Sequence, residues 1–124
     1  MQADIGLIGL AVMGQNLVLN MADHGFQVAV FNRTASKTDE FMAGPAKGKK
    51  ILPAKDLKAF VSSLKRPRKM MLMVKAGAPV DELINELLPF LEKGDILIDG
   101  GNSHFPDSQR RYEALKAKGI LFVG

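Results

Sequence analysis

The sequence contains no cysteine. That absence excludes a disulfide framework, a thiol nucleophile and any thiolate metal site. Histidine is scarce: His24 and His104 are the only two, and they stand 80 positions apart. This spacing argues against a compact histidine metal motif, and no metal is expected. The apolar run from Ile5 to Met13 gives way to Gln15 and Asn16, well short of the roughly 20 residues a spanning helix needs. No positive stretch precedes an apolar run at the N-terminus, so no signal peptide is read there. The chain therefore reads as cytoplasmic, with no membrane partner. Aromatics are few, at 6%. None is interleaved with the basic clusters Lys47, Lys49, Lys50 and Lys65, Arg66, Arg68, Lys69. With no recognisable nucleic-acid module either, both clusters read as solvated loops and no nucleic-acid partner is expected.

What is present suits one domain. The chain has 124 residues, 47% of them apolar and 24% charged, with a net charge of +4. At this length folding buries roughly two-thirds of the accessible surface, which predicts one core rather than two. Twelve glycines exceed the average usage of about 7%, so their positions matter.

Short apolar runs alternate with helix-period segments. Asp4–Gly9, Gln27–Phe31, Ile51–Leu52, Met70–Val74, Asp95–Asp99 and Ile120–Val123 read as strands. Between them, helices are expected over Gly14–His24, Thr34–Met42, Lys55–Leu64 and Asp107–Lys118. In the first, Leu17, Val18, Met21 and Ala22 share a face. In the second, Thr34 or Ser36 is the candidate cap, and Ser36 and Asp39 have the spacing of a capping box. The strongest helical signal starts near Pro79, with Val80, Leu83, Ile84, Leu87, Leu88 and Leu91 at i, i+3, i+4, i+7, i+8 and i+11. Pro89 should bend its last turn, and Gly94 ends it. Strands alternating with helices predict βαβ units in a parallel sheet. The expected fold is α/β: a Rossmann-like, doubly wound, three-layer αβα sheet of five to six strands spanning residues 1–124.

Gly9-Leu10-Ala11-Val12-Met13-Gly14 follows the first strand and opens the first helix. Gly9 permits a tight turn, Gly14 permits close helix–strand packing, and the helix N-terminus offers N–H groups to a pyrophosphate. Ala11 stands where the usual G-x-G-x-x-G has its middle glycine. The second strand ends in Asn32-Arg33-Thr34, with Asn32 18 positions after Gly14. An NAD site usually has a carboxylate there for the ribose 2′-OH. Here Arg33 can pair with a 2′-phosphate and stack on adenine, while the Thr34 hydroxyl adds a donor. This pattern favours NADP over NAD.

Residues 9–17, Gly-Leu-Ala-Val-Met-Gly-Gln-Asn-Leu, resemble the cofactor turn of the 6-phosphogluconate dehydrogenase family, including its central alanine. Phe31-Asn32-Arg33-Thr34, Val74-Lys75-Ala76-Gly77 and Asp99-Gly100-Gly101-Asn102-Ser103 resemble its next three motifs, and Phe105, Asp107, Ser108, Arg110 and Arg111 continue the match. The resemblance implies NADP-dependent oxidation of 6-phosphogluconate at C3, then decarboxylation to ribulose 5-phosphate in the pentose phosphate pathway, without a metal. It implies that residues 9–14 hold the pyrophosphate and that Asn32, Arg33 and Thr34 hold the 2′-phosphate end. Val74, Lys75 and Ala76 would line the adenine and ribose side, and Met13 would lie near the nicotinamide. Asn102 would touch both cofactor and substrate. The family's general-base lysine and general-acid glutamate would lie beyond Gly124, as would the helical domain through which the parent forms a homodimer. No catalytic residue is therefore expected in this chain, and 6-phosphogluconate would bind only in a longer parent. Two other readings stay open: the cofactor domain of a related β-hydroxyacid dehydrogenase or imine reductase, and a stand-alone NADP-binding module.

Overall fold

A computed structural model describes residues 2–101 and 103–124. Among the described residues, six strands alternate with five helices: β1 (Ile5–Ile8), α1 (Val12–Asp23), β2 (Val28–Phe31), α2 (Ala35–Ala43), β3 (Ile51–Pro53), α3 (Leu57–Ser62), β4 (Lys69–Leu72), α4 (Ala78–Leu87), β5 (Ile96–Asp99), α5 (Phe105–Lys116) and β6 (Leu121–Val123). All pairings are parallel, and the spatial order is β3-β2-β1-β4-β5-β6. The expected doubly wound α/β sheet is the observed one.

Strand side chains alternate between faces, and the sequence uses both. Leu7, Val28 and Val30 join Val18 and Ala22 of α1 and Phe41 of α2 in one buried layer. Ile8, Ala29, Met70, Leu72 and Leu97 face the other way, into a layer closed by α3, α4 and α5. The single core expected from length is thus two apolar layers that share one sheet.

Several local expectations change. The buried face of α1 is Gly14, Val18 and Ala22, while Leu17 is exposed. The Ser36–Asp39 capping box does not form. The N-cap of α2 is Thr34, without a side-chain cap, so Ser36 already lies inside the first turn, where it cannot cap. Asp56, unread in the sequence, caps α3 through Ala59 N–H at 2.7 Å. The α4 pattern breaks at Pro89: the helix ends at Leu87, and Leu88–Phe90 form a single 3-10 turn. Arg68 is no solvated loop residue. It is buried against Asp95, Nη2 to Oδ2 at 3.1 Å, and Asp95 also accepts the Glu92 N–H at 2.8 Å.

Candidate functional site

The register brings four strand ends onto one line. Phe31 lies beside Ile8, Ile8 beside Leu72, and Leu72 beside Asp99. The chain therefore leaves the sheet at Asn32, Gly9, Met73 and Gly100 along a single edge. Strand order reverses between β1 and β4, and ligands of such sheets bind at that carboxyl-end crevice.

The glycine turn is built by close approach. Gly9 has φ +108°, and a Cβ there would overlap the carbonyl oxygen of Met73. A Cβ at Gly14 would overlap the carbonyl oxygen of Gly9, which is why α1 can start against the end of β1. Ala11 has φ −73° and ψ 179°. This is ordinary extended backbone, so the turn does not need glycine at that position. Among the described residues no side chain caps α1, and no acidic residue lies in its first turn. Its first amides therefore keep the donor capacity that suits an anion. Val12 and Met13 are strongly exposed on this turn.

Asn32 locks the turn to β2. Its Oδ1 accepts the Leu10 N–H at 2.8 Å, and its Nδ2 donates to the Thr34 carbonyl at 3.1 Å. Gln15 Nε2 donates to the Leu10 carbonyl at 3.0 Å. Leu10 is itself fully buried, so its side chain and both backbone polar groups are engaged in shaping the turn. A cavity of about 260 Å³ opens beside it, and its lining brings together Gly9, Asn32, Arg33 and Val74. The α4 side contributes Pro79, Glu82 and Leu83. Arg33 also borders a second cavity, of about 310 Å³, with Thr38, Asp39 and Lys55. Its side chain is 69% exposed, and Nη2 lies 3.0 and 3.2 Å from the two carboxylate oxygens of Glu86. Thr34, Lys75 and Ala76 are exposed around the same edge and do not line the first cavity.

Asn102 lies outside the described residues. Its neighbours are firmly tied: Gly101 N–H donates to Asp99 Oδ1 at 3.0 Å, and Ser103 Oγ bonds Asp99 Oδ2. Arg111, almost fully buried, joins two loops. It reaches Asp81 (Nε to Oδ1 2.8 Å) and the Gly77 carbonyl (3.1 Å) on one side, and Ser103 Oγ (3.3 Å) on the other. Hydrogen bonding from Arg111 is the main reason that the Asp81 carboxyl is held down at about 2, with Arg110 adding to it. Asp95 and Asp99 are buried and engaged in internal hydrogen bonds, and His24 and His104 are exposed. Among the described residues, no group of three or more His, Cys, Asp or Glu could hold a metal ion. Among them, too, no helix is long and apolar enough to cross a membrane.

Sequence reasoning missed Gln15, Glu86 and the bridging role of Arg111. Gln15 directly follows the glycine turn and could have been read as a turn lock. Glu86 meets Arg33 across 53 positions, and nothing local announces that contact.

The model of the NAD binding domain of 6-phosphogluconate dehydrogenase matches residues 4–124. The chain is 72% identical over 124 residues to "6-phosphogluconate dehydrogenase, decarboxylating 1" of Saccharomyces cerevisiae, covering all of this chain and 25% of that protein. It thus spans about a quarter of the length of the curated relatives it matches. Among solved structures, 6-phosphogluconate dehydrogenase of Plasmodium falciparum, described in apo form and in complex with NADP+ and with 6-phosphogluconate, aligns with a TM-score of 0.88 at 46% identity, over 96% of this chain and 26% of that one. The 3-hydroxyisobutyrate dehydrogenase of Mycobacterium tuberculosis aligns at 17% identity with a TM-score of 0.80, over 98% of this chain and 39% of that one. At that identity the likeness is one of fold alone.

Proposed function

The chain belongs to the family of the NAD binding domain of 6-phosphogluconate dehydrogenase, and from that premise we propose that it is the NADP-binding part of a decarboxylating 6-phosphogluconate dehydrogenase. The observation that carries the NADP reading is the end of β2. Arg33 stands at the rim of the cavity, and Asn32 occupies the place of the carboxylate that an NAD site would offer. Arg33 supplies a guanidinium to the 2′-phosphate, and the Thr34 hydroxyl, unused as a cap, supplies a second donor.

The turn fits a pyrophosphate for a separate reason. A side chain at Gly9 would collide with backbone, and among the described residues no side chain caps the first amides of α1. Gly9 to Gly14 therefore present backbone to the ligand, with Leu10 and Asn32 keeping the turn in shape. Val74, Lys75 and Ala76 line the adenine and ribose side, and Met13, exposed at the start of α1, reaches the nicotinamide end. Asn102 orients cofactor and substrate together. Bound NADP would accept the hydride from C3 of 6-phosphogluconate. The acid–base groups, the helical domain and the homodimer belong to the longer parent, which we place in the cytoplasm.

The test is calorimetric titration of the 124-residue chain with NADP and NAD, before and after Arg33→Ala. A hydrogen-bonded charge partner is worth about 1.5–3 kcal/mol, so NADP should weaken about tenfold or more while NAD changes little. Equal loss for both would refute the 2′-phosphate assignment. In the same samples, 6-phosphogluconate should not be turned over, since a missing general base alone costs ~10²–10⁴-fold.

A further inference from the structure

Arg33 is not alone at its cavity. Glu86 lies on the last turn of α4, one turn beyond Glu82, which lines the same cavity. Glu86 takes Arg33 through a single nitrogen, Nη2, at 3.0 and 3.2 Å. Nε and Nη1 of Arg33 make no hydrogen bond among the described residues.

We propose that Glu86 tunes the preference between NADP and NAD by competing with the 2′-phosphate for Arg33. The proposal rests on the reading of Arg33 given above. A phosphate monoester carries a charge of about −1.5 to −2 near neutral pH. Placed on the same guanidinium as a carboxylate, it either displaces the carboxylate or shares the cation against mutual repulsion. NAD brings no phosphate to Arg33 and leaves the pair intact, so the cost falls on NADP alone.

Exposure sets the size of the effect. The two side chains are 69% and 44% exposed, so the pair is a solvated one of modest strength. Removing the Glu86 charge should therefore tighten NADP about two- to fivefold, the range expected of exposed ion pairs. Added salt should shrink that gain, because exposed charges are screened.

The experiment is a double-mutant cycle on the 124-residue chain: wild type, Glu86→Gln, Arg33→Ala and the double variant, each titrated with NADP and NAD at low and high salt. Glu86→Gln should tighten NADP by that factor at low salt, leave NAD unchanged, and give no gain when Arg33 is already alanine. Unchanged or weaker NADP binding in Glu86→Gln would overturn the proposal, since Glu86 would then be neutral or would be aiming Arg33. A gain that persists without Arg33 would also overturn it, because Glu86 would then act on the phosphate directly. The Arg33→Ala arm stands apart: equal loss of NADP and NAD there sinks the 2′-phosphate reading whatever Glu86 does. Coincident denaturation curves for Glu86→Gln and wild type will show that the exposed substitution leaves the fold intact.

Discussion

At the scale of single residues, the site depends on where a side chain is forbidden and where it is merely absent. Gly9 faces two obstacles at once. Its φ of +108° suits few residues with a Cβ, and that Cβ would meet the rigid backbone carbonyl of Met73. Ala11, two residues on, has an ordinary extended backbone, so alanine is accommodated there without strain. Gly100 is intermediate. A Cβ there would meet Met73 Sδ, the far end of a flexible thioether that can rotate away. Gly9→Ala should therefore cost more than about 1 kcal/mol of stability, and Gly100→Ala clearly less. Urea denaturation of the two variants checks the order. If Gly100→Ala proved as costly as Gly9→Ala, backbone collision would not be what singles out Gly9.

At the scale of elements, the loops after β4 and β5 are coupled through α5. Arg111 holds Asp81 and the Gly77 carbonyl at the start of α4, and Ser103 before α5. Asp81 titrates at about 2 instead of the ordinary 3.8, chiefly because of its hydrogen bond from Arg111. A carboxyl with a depressed folded value contributes stability that is fully present above its ordinary value and is lost as pH falls toward the folded one. The urea midpoint should therefore drop as pH falls from about 4 to about 2, and Asp81→Asn should flatten part of that drop. Wild type and variant falling in parallel would show that the Arg111 link contributes nothing to the elements it joins. The strands and helices themselves were legible because apolar period distinguishes them, yet starts slipped by about two residues. The apolar period places the start of α1 at Gly14, whereas the helix begins at Val12, since the glycine turn already carries the first helical residues. The pattern places the start of α5 at Asp107, whereas the helix begins at Phe105 with Pro106 in its first turn, a residue suited to a helix start. The candidate site was legible where a turn dictates residue type, as at Gly9, Gly14 and Arg33. It was illegible where distant elements meet, as at Glu86 and Arg111, because sequence spacing says nothing about a contact across a sheet edge. The burial of Arg68 is illegible for the same reason: only the β4–β5 pairing brings it to Asp95.

At the scale of the whole molecule, length suggested one core and the structure builds two layers. They are not two independent folding units. β1 sends Leu7 to one layer and Ile8 to the other, and β2 divides Val28 and Val30 from Ala29 in the same way. Neither layer can lose its strands without dismantling its neighbour, so the chain should unfold in one cooperative step. Leu7→Ala tests this directly. Leu7 is fully buried in the α1–α2 layer, and truncating such a leucine costs about 2–5 kcal/mol. The protein's one tyrosine, Tyr112, packs against the opposite layer. Its fluorescence therefore reports on the face that the mutation does not touch. Far-UV circular dichroism and Tyr112 fluorescence should give a single coincident transition in wild type, and both should move together to the same lower urea concentration in Leu7→Ala. A Tyr112 transition that stayed in place while the dichroism curve split would mean that the layers fold separately. In that case the shared strands would not be what makes 124 residues with two apolar layers behave as one domain.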